Sequence, residues 1–137
     1  MTLEVHSFDP LDLLLQPESR VPETGRPYLA AGYLELLRDA GPSFTARADK
    51  RVMLCGGIAI NPSNSERWLW SFLMNDAGPH MLALHRAVRR MLEIHPGRIV
   101  ATTPMGFPQG CRWLLLLGFK RLGTSQELPG QWLYGKV

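Results

Sequence analysis

Little in this sequence points to a secreted, metal-binding or membrane-spanning protein. Its only two cysteines, Cys55 and Cys111, lie far apart and match no metal-ligand spacing, so reduced thiols are expected. No apolar run approaches the roughly 20 residues that span a bilayer. Residues 1–10 carry acids and no apolar segment, unlike a signal peptide. We therefore expect a cytoplasmic protein without membrane contact, or one packaged into an assembly made inside a cell.

An excess of one charge is also lacking. The chain has 15 Lys and Arg against 12 Asp and Glu, for a net charge of +3. The densest positive set, Arg86, Arg89 and Arg90, could guide a polyanion, but a solvated helix face is the simpler interpretation. Because no stretch concentrates the charge strongly, we expect no nucleic-acid partner.

The composition is that of a globular domain. Hydrophobic residues make up 45% of the 137 residues and charged residues 20%. A chain of this size buries roughly two-thirds of its unfolded surface, so neither a disulfide nor a metal ion is needed for folding. We find no repeat, low-complexity segment or linker, and we expect one domain over residues 1–137.

Hydrophobic periodicity and turn residues predict eleven elements, in the order β-α-α-β-β-β-α-β-α-β-β. The predicted strands cover 3–6, 44–48, 51–60, 68–74, 98–103, 121–127 and 131–137. The predicted helices cover 11–15, 28–37, 79–95 and 108–117. Gly56 and Gly57 inside the third strand indicate a bulge or a close backbone approach. The order predicts a mixed α/β (α+β) domain.

The element order and three short motifs resemble the GNAT superfamily of N-acetyltransferases. WLLLLGFKRLG at 113–123 is similar to the late helix, "LGF" turn and following strand of that family. RIVATT at 98–103 stands at its fifth strand, and CGGIA at 55–59 resembles its "vGxa" strand. The resemblance implies a GNAT-like mixed sheet flanked by helices.

The resemblance also implies an acetyl-CoA site. In the family, the cofactor lies where the fourth and fifth strands splay apart, and its pyrophosphate sits on backbone N–H groups at the start of the central helix. The corresponding segment here is 74–80, and Arg112 in the late helix could reach a CoA phosphate, although a solvated side chain is simpler. The implied cofactor contacts are Met74, Asn75, Ala77, Gly78, His80 and Arg112.

The cofactor segment departs from the family pattern Arg/Gln-x-x-Gly-x-Gly/Ala. It has one glycine, Gly78, and no basic residue just ahead of it. Asp76 is expected to repel a diphosphate, and Pro79 removes one N–H donor. A charged His80 is disfavoured at a helix N-terminus, which leaves it a neutral polar contact.

The catalytic landmarks of the family are replaced. Leu114 stands at the position of the frequent general-acid tyrosine, and Phe107 at that of a frequent asparagine. The fourth strand contains no acid, and Glu66 lies just before it. No catalytic residue is therefore assigned, and acetyl transfer would have to proceed by positioning alone.

Two functions follow from the resemblance. The first is an acetyl-CoA-dependent N-acetyltransferase acting on a small-molecule or protein amine. The second starts from the altered loop and helix, which are similar to GNAT-like proteins of tailed bacteriophages, including internal virion proteins. This second function is that of a catalytically silent domain that binds a protein partner in virion assembly or in the host. In both, His85 and His95 are expected to be structural rather than metal ligands, and Cys55 an inert core thiol.

Overall fold

A computed structural model describes residues 3–30 and 32–137 and shows one seven-stranded mixed sheet with helices on both faces. The strands are β1 (Leu3–Ser7), β2 (Ser43–Ala48), β3 (Arg51–Ile60), β4 (Arg67–Leu73), β5 (Ile99–Pro104), β6 (Lys120–Thr124) and β7 (Gln131–Lys136). The helices are α1 (Leu11–Leu14), α2 (Tyr33–Asp39), α3 (Met81–Ile94) and α4 (Pro108–Leu116). This sequence of elements confirms the predicted order.

The sheet runs in the order β1-β2-β3-β4-β5-β7-β6. Strands β1 to β4 form an antiparallel meander, and β5 lies parallel to β4 after the crossover through α3. Strand β7 then inserts between β5 and β6, antiparallel to both. The predicted mixed α+β fold is therefore confirmed.

The two faces of the sheet carry separate apolar clusters. One cluster packs α3 and α4 onto the sheet, and its buried side chains include Leu84, Val88, Leu114 and Tyr134. The other packs α1, α2 and the segment between them onto the opposite face. Among the described residues, no helix is long and apolar enough to cross a bilayer.

The second helix starts later than the sequence predicts. Tyr28 belongs to a 3-10 turn, Glu23–Leu29, that contains Pro27, and α2 begins only at Tyr33 after the left-handed Gly32 (φ 87°). A right-handed helix cannot continue through a residue with positive φ, so Gly32 divides the predicted helix and the near-helical spacing of the apolar residues is misleading here. Residue 31, inside the predicted helix, lies outside the described residues.

The glycine pair in β3 marks a close backbone approach. A Cβ atom on Gly57 would lie 2.6 Å from the carbonyl oxygen of Pro42 and 2.8 Å from Cβ of Ser43. Only a glycine therefore allows the start of β2 to pair at this position. The irregularity in register lies further along β3, because Ala46 pairs with Leu54 and Arg47 with Val52, which leaves Met53 as the extra residue.

A buried carboxylate joins α1 to the sheet. Asp12 is 8% exposed, and its Oδ2 accepts hydrogen bonds from Thr45 Oγ1 at 2.6 Å and from the backbone N–H of Asp9 at 3.1 Å. Its Oδ1 accepts from Arg47 Nη2 at 2.7 Å. Because a buried charge without partners is costly, these contacts fix α1 over β2.

We expect Asp12→Asn to destabilise the fold by about 2 kcal/mol, because the amide leaves the half-buried Arg47 guanidinium without its counter-charge. Urea unfolding at pH 7 measures the change. Asp39→Asn is the matched control, since Asp39 forms a fully solvated ion pair with Arg38 and should matter little. Equal effects of the two substitutions would contradict the importance of the buried contact.

Candidate functional site

Strands β4 and β5 diverge almost from their first contact. In the part of the chain that the structure describes, they are in register at one position only, Trp68 opposite Val100. Strand β5 instead pairs with β7 along its whole length, from Ile99 to Pro104. Beyond Trp68, the outer edge of β4 therefore has no strand partner, and its backbone groups face a gap.

A small cavity with a volume of about 30 Å³ adjoins the unpaired part of β4, and no described residue of β5 lines it. Its floor comes from β3 and β4, and its walls from α3 and α4. The lining is mostly apolar, and the hydroxyl of the exposed Ser71 is its one hydroxyl. The lining residues are Phe44, Gly56, Leu69, Trp70, Ser71, Val88, Met91, Trp113, Leu114 and Leu117.

The turn between β4 and α3 contains the predicted cofactor segment. Met74 and Ala77 are 2% and 0% exposed, so their side chains hold the turn in the core and cannot face a ligand. Gly78 is exposed, and a Cβ atom added to it would meet nothing within 4 Å. His80, half-buried, closes a 3-10 turn, Gly78–His80, that leads directly into α3.

Side-chain hydrogen bonds fix the same turn to the segment after α1. The backbone N–H of Asn75 donates to the carbonyl of Arg20 at 2.8 Å, and its side-chain amide donates to the carbonyl of Ser19 at 3.1 Å. No side chain caps the N-terminus of α3 or of the turn before it, among the residues described. The helix start is therefore rigidly placed. The N–H groups of Ala77, His80 and Met81 donate to backbone carbonyls of the turn, whereas the N–H of Gly78 makes no hydrogen bond among the described residues.

Asp76, expected from sequence to repel a diphosphate, is engaged elsewhere. Arg20 donates to both of its carboxylate oxygens, at 2.9 and 3.2 Å, and Arg51 Nη2 lies 2.9 Å from Oδ2. Hydrogen bonding from the Arg20 guanidinium holds the pKa of Asp76 below its ordinary value. Two guanidinium groups beside one carboxylate leave a local excess of positive charge, which offsets the expected repulsion.

The residues at the replaced catalytic positions occupy different places. Leu114 is buried and lines the cavity. Phe107 and Met105 are both 40% exposed and do not line it, so neither fills the gap. Arg112 is exposed on α4, and among the described residues no hydrogen bond or ion pair joins it to the turn before α3.

The walls of the cavity are joined by one polar contact. The indole Nε1 of Trp113 in α4 donates to Nδ1 of His85 in α3 at 3.1 Å. In the sequence, the two residues are 28 positions apart. No spacing or motif predicts this contact, nor does any predict Arg20 as the partner of Asp76.

The two cysteines lie apart, Cys55 in β3 and Cys111 in α4, and both are buried free thiols. Burial raises the pKa of Cys55 to about 12, although Thr45, 3.5 Å from its sulfur, lowers it slightly. A thiol so rarely ionised is a poor nucleophile. Among residues 3–30 and 32–137, no group of three or more His, Cys, Asp or Glu is placed to hold a metal ion.

Comparison of sequences finds no match, either to a family model or to a curated protein. Comparison of structures, in contrast, finds matching chains. A chain from Bordetella pertussis described as a GNAT-family acetyltransferase superposes with a TM-score of 0.70 at 14% identity, over 93% of this chain and 89% of its own.

Two further structures give similar values. An aminoglycoside acetyltransferase in complex with coenzyme A and kanamycin has a TM-score of 0.69 at 13% identity, over 99% of this chain and 95% of its own. A spermidine N-acetyltransferase chimera of Vibrio cholerae and hSSAT has a TM-score of 0.67 at 14% identity, over 100% of this chain and 96% of its own. At these identities the likeness is one of architecture, and the architecture of this chain is that of the GNAT acetyltransferases.

We expect Asp76→Asn to destabilise the protein by about 1 kcal/mol at pH 7, because the carboxylate is about one-third exposed and its ion pairs are partly screened. The folded-state pKa of Asp76 is lowered, so its contribution is present above the unfolded value of about 3.9 and is lost as the pH falls through the folded value. Urea unfolding of both proteins between pH 7 and pH 3 measures this. Glu127→Gln, on an exposed loop, is the control. If the difference in unfolding free energy between the wild type and Asp76→Asn persisted unchanged to pH 3, the stabilisation by Asp76 would not be ionic.

We expect Cys55 to resist alkylation by iodoacetamide at pH 8 in the folded protein, since the thiol is buried and its pKa is about 12. In urea the same residue should react readily. Peptide mass spectrometry of both samples gives the modified fraction. Equal labelling in the two samples would mean that β3 opens easily.

Proposed function

We propose that this protein is an acetyl-CoA-dependent N-acetyltransferase. The observation that carries the proposal is the divergence of β4 from β5 beside the uncapped start of α3. An unpaired strand edge and a helix N-terminus next to each other offer backbone donors and acceptors to an extended, anionic ligand. The solved structures with this architecture include one in complex with coenzyme A.

In this proposal the pyrophosphate of the cofactor lies against the backbone of the turn before α3. Gly78 supports this, because the space in front of it is open and the backbone can approach a ligand closely. The backbone N–H groups of Asn75, Ala77 and His80 donate to carbonyls of the protein itself, so these residues would contribute by shaping the turn. Met74 would contribute by anchoring the turn in the core. A second contact, from Arg112 to a phosphate, requires the ligand to extend across α4.

The bound cofactor would supply an acetyl thioester to an attacking amine. Leu114 provides no proton for the departing thiolate, so the chain would accelerate transfer by holding donor and amine in the reactive geometry. The apolar lining of the cavity excludes water from the thioester. The acceptor is a small-molecule or protein amine, and spermidine and aminoglycosides are named with two of the similar structures.

A second candidate is a silent GNAT domain, and two observations favour it. Leu114 fills the position from which the family's tyrosine acts, and the cavity of about 30 Å³ has room for about one water molecule. In that case the protein would serve through a protein partner, as in assembly of a phage virion or contact with a host protein. Its source among tailed phages stays a prediction from sequence resemblance.

Calorimetric titration with acetyl-CoA distinguishes the two candidates, and we expect saturable binding. Ser71→Leu should weaken it at least ten-fold, because a larger side chain on β4 obstructs the gap. Thr124→Leu is the matched control, since Thr124 is exposed on the edge strand β6, outside the cavity lining.

Absence of binding at millimolar acetyl-CoA would rule out the acetyltransferase and leave the silent domain. Binding that Ser71→Leu leaves unchanged would place the cofactor elsewhere than between β4 and β5. Acetylation of a panel of polyamines, aminoglycosides and N-terminal peptides, followed by thiol release, would then identify the acceptor class.

A further inference from the structure

The cavity between α3 and α4 is too small for the ligand that the proposed function requires. Its volume of about 30 Å³ equals the share of one water molecule in the liquid. An acyl-pantetheine arm is a chain of many heavy atoms, so it cannot enter unless a wall moves. The structure therefore represents a closed form of the site.

Most of the wall is fixed. Val88 and Met91 of α3 and Leu114 of α4 are 3%, 8% and 8% exposed and belong to the continuous apolar cluster on this face. Displacing any of them exposes apolar surface to water, which is unfavourable. These residues are not candidates for movement.

Among the described residues of the two helices that line the cavity, Trp113 is the exception. Its indole lines the cavity but is only half-buried, packed against the edge of the apolar cluster. It is held in place by the hydrogen bond from Nε1 to Nδ1 of His85, which is the one side-chain hydrogen bond between α3 and α4 in the described part of the chain. Turning the indole outward breaks that bond and leaves the buried wall untouched.

We propose that Trp113 is a gate for the acyl-pantetheine arm of a coenzyme A thioester, and that His85 is the positioning residue that holds the gate closed. The inference rests on the proposed function, since it concerns access to the same gap. The imidazole fixes the indole across the space between the helices, and the ligand must exchange this contact for its own. The apparent affinity is therefore the affinity of the open form multiplied by the fraction of molecules that are open.

The test compares His85→Ala, which removes the acceptor, with His85→Gln, whose side-chain carbonyl can accept from the same indole. His85 is half-buried, so both variants should fold. A hydrogen bond of ordinary net strength biases the two forms about five-fold. Calorimetry with acetyl-CoA should show His85→Ala binding about five-fold more tightly than the wild type, and His85→Gln binding like the wild type.

The indole N–H resonance of Trp113 gives a readout independent of binding. In a nitrogen-15 spectrum it is assigned by its loss in Trp113→Phe, a variant that also lacks the hydrogen bond and should bind more tightly. In the free His85→Ala protein, the resonance should shift and exchange faster with water. In His85→Gln it should stay close to its position in the wild type.

Each outcome supports or overturns the gate. Tighter binding of acetyl-CoA by His85→Ala than by the wild type, together with wild-type affinity in His85→Gln, supports it. Binding by His85→Ala when the other proteins show none supports it as well. Equal affinities in all three proteins overturn the gate and leave the proposed function intact. Weaker binding by His85→Ala also overturns it, since His85 would then contact the ligand. No binding by any variant overturns gate and proposed function together.

Discussion

The single register position between β4 and β5 is the constraint on which the rest of the molecule depends. Strand β5 keeps β7 as a partner along one edge, but along its other edge it is in register with β4 only at Trp68, so the sheet stays open beside the start of α3. The free edge of β4 follows from that divergence, and the cavity adjoins this edge. A continuous parallel pair at this position would fill the gap with backbone hydrogen bonds and leave nothing for a ligand to replace.

Two carboxylates with arginine partners connect the main segments of the molecule. Asp12 in α1 is bound by Arg47 of β2, and Asp76 in the turn before α3 is bound by Arg20, from the segment after α1, and by Arg51 of β3. That turn, the candidate phosphate site, is therefore held by ion pairs within the protein, and its position does not depend on a ligand.

The sequence predicts the fold better than the site, for physical reasons. Strand β3 and the helices α3 and α4 have strong periodicity and sharp stops, so their bounds are nearly those predicted. The predicted second helix is wrong over its first part, because the left-handed Gly32 separates a 3-10 turn from the α-helix and the apolar spacing does not reveal this. The partners of Asp76 and Trp113 lie 56 and 28 positions away and depend on tertiary geometry that no local pattern encodes.

The way β5 pairs also divides the sheet mechanically. Strands β1 to β4 form one continuously hydrogen-bonded plate, and β5, β7 and β6 form another. Among the described residues, the two plates are in register at one position, Trp68 opposite Val100. They are otherwise joined by the side chains of α3 and α4 and by Arg67, which donates to the carbonyls of Pro96 and Arg98 just before β5. Fewer residue pairs are in register across this seam than between any other neighbouring strands described, so we expect the sheet to bend there most readily.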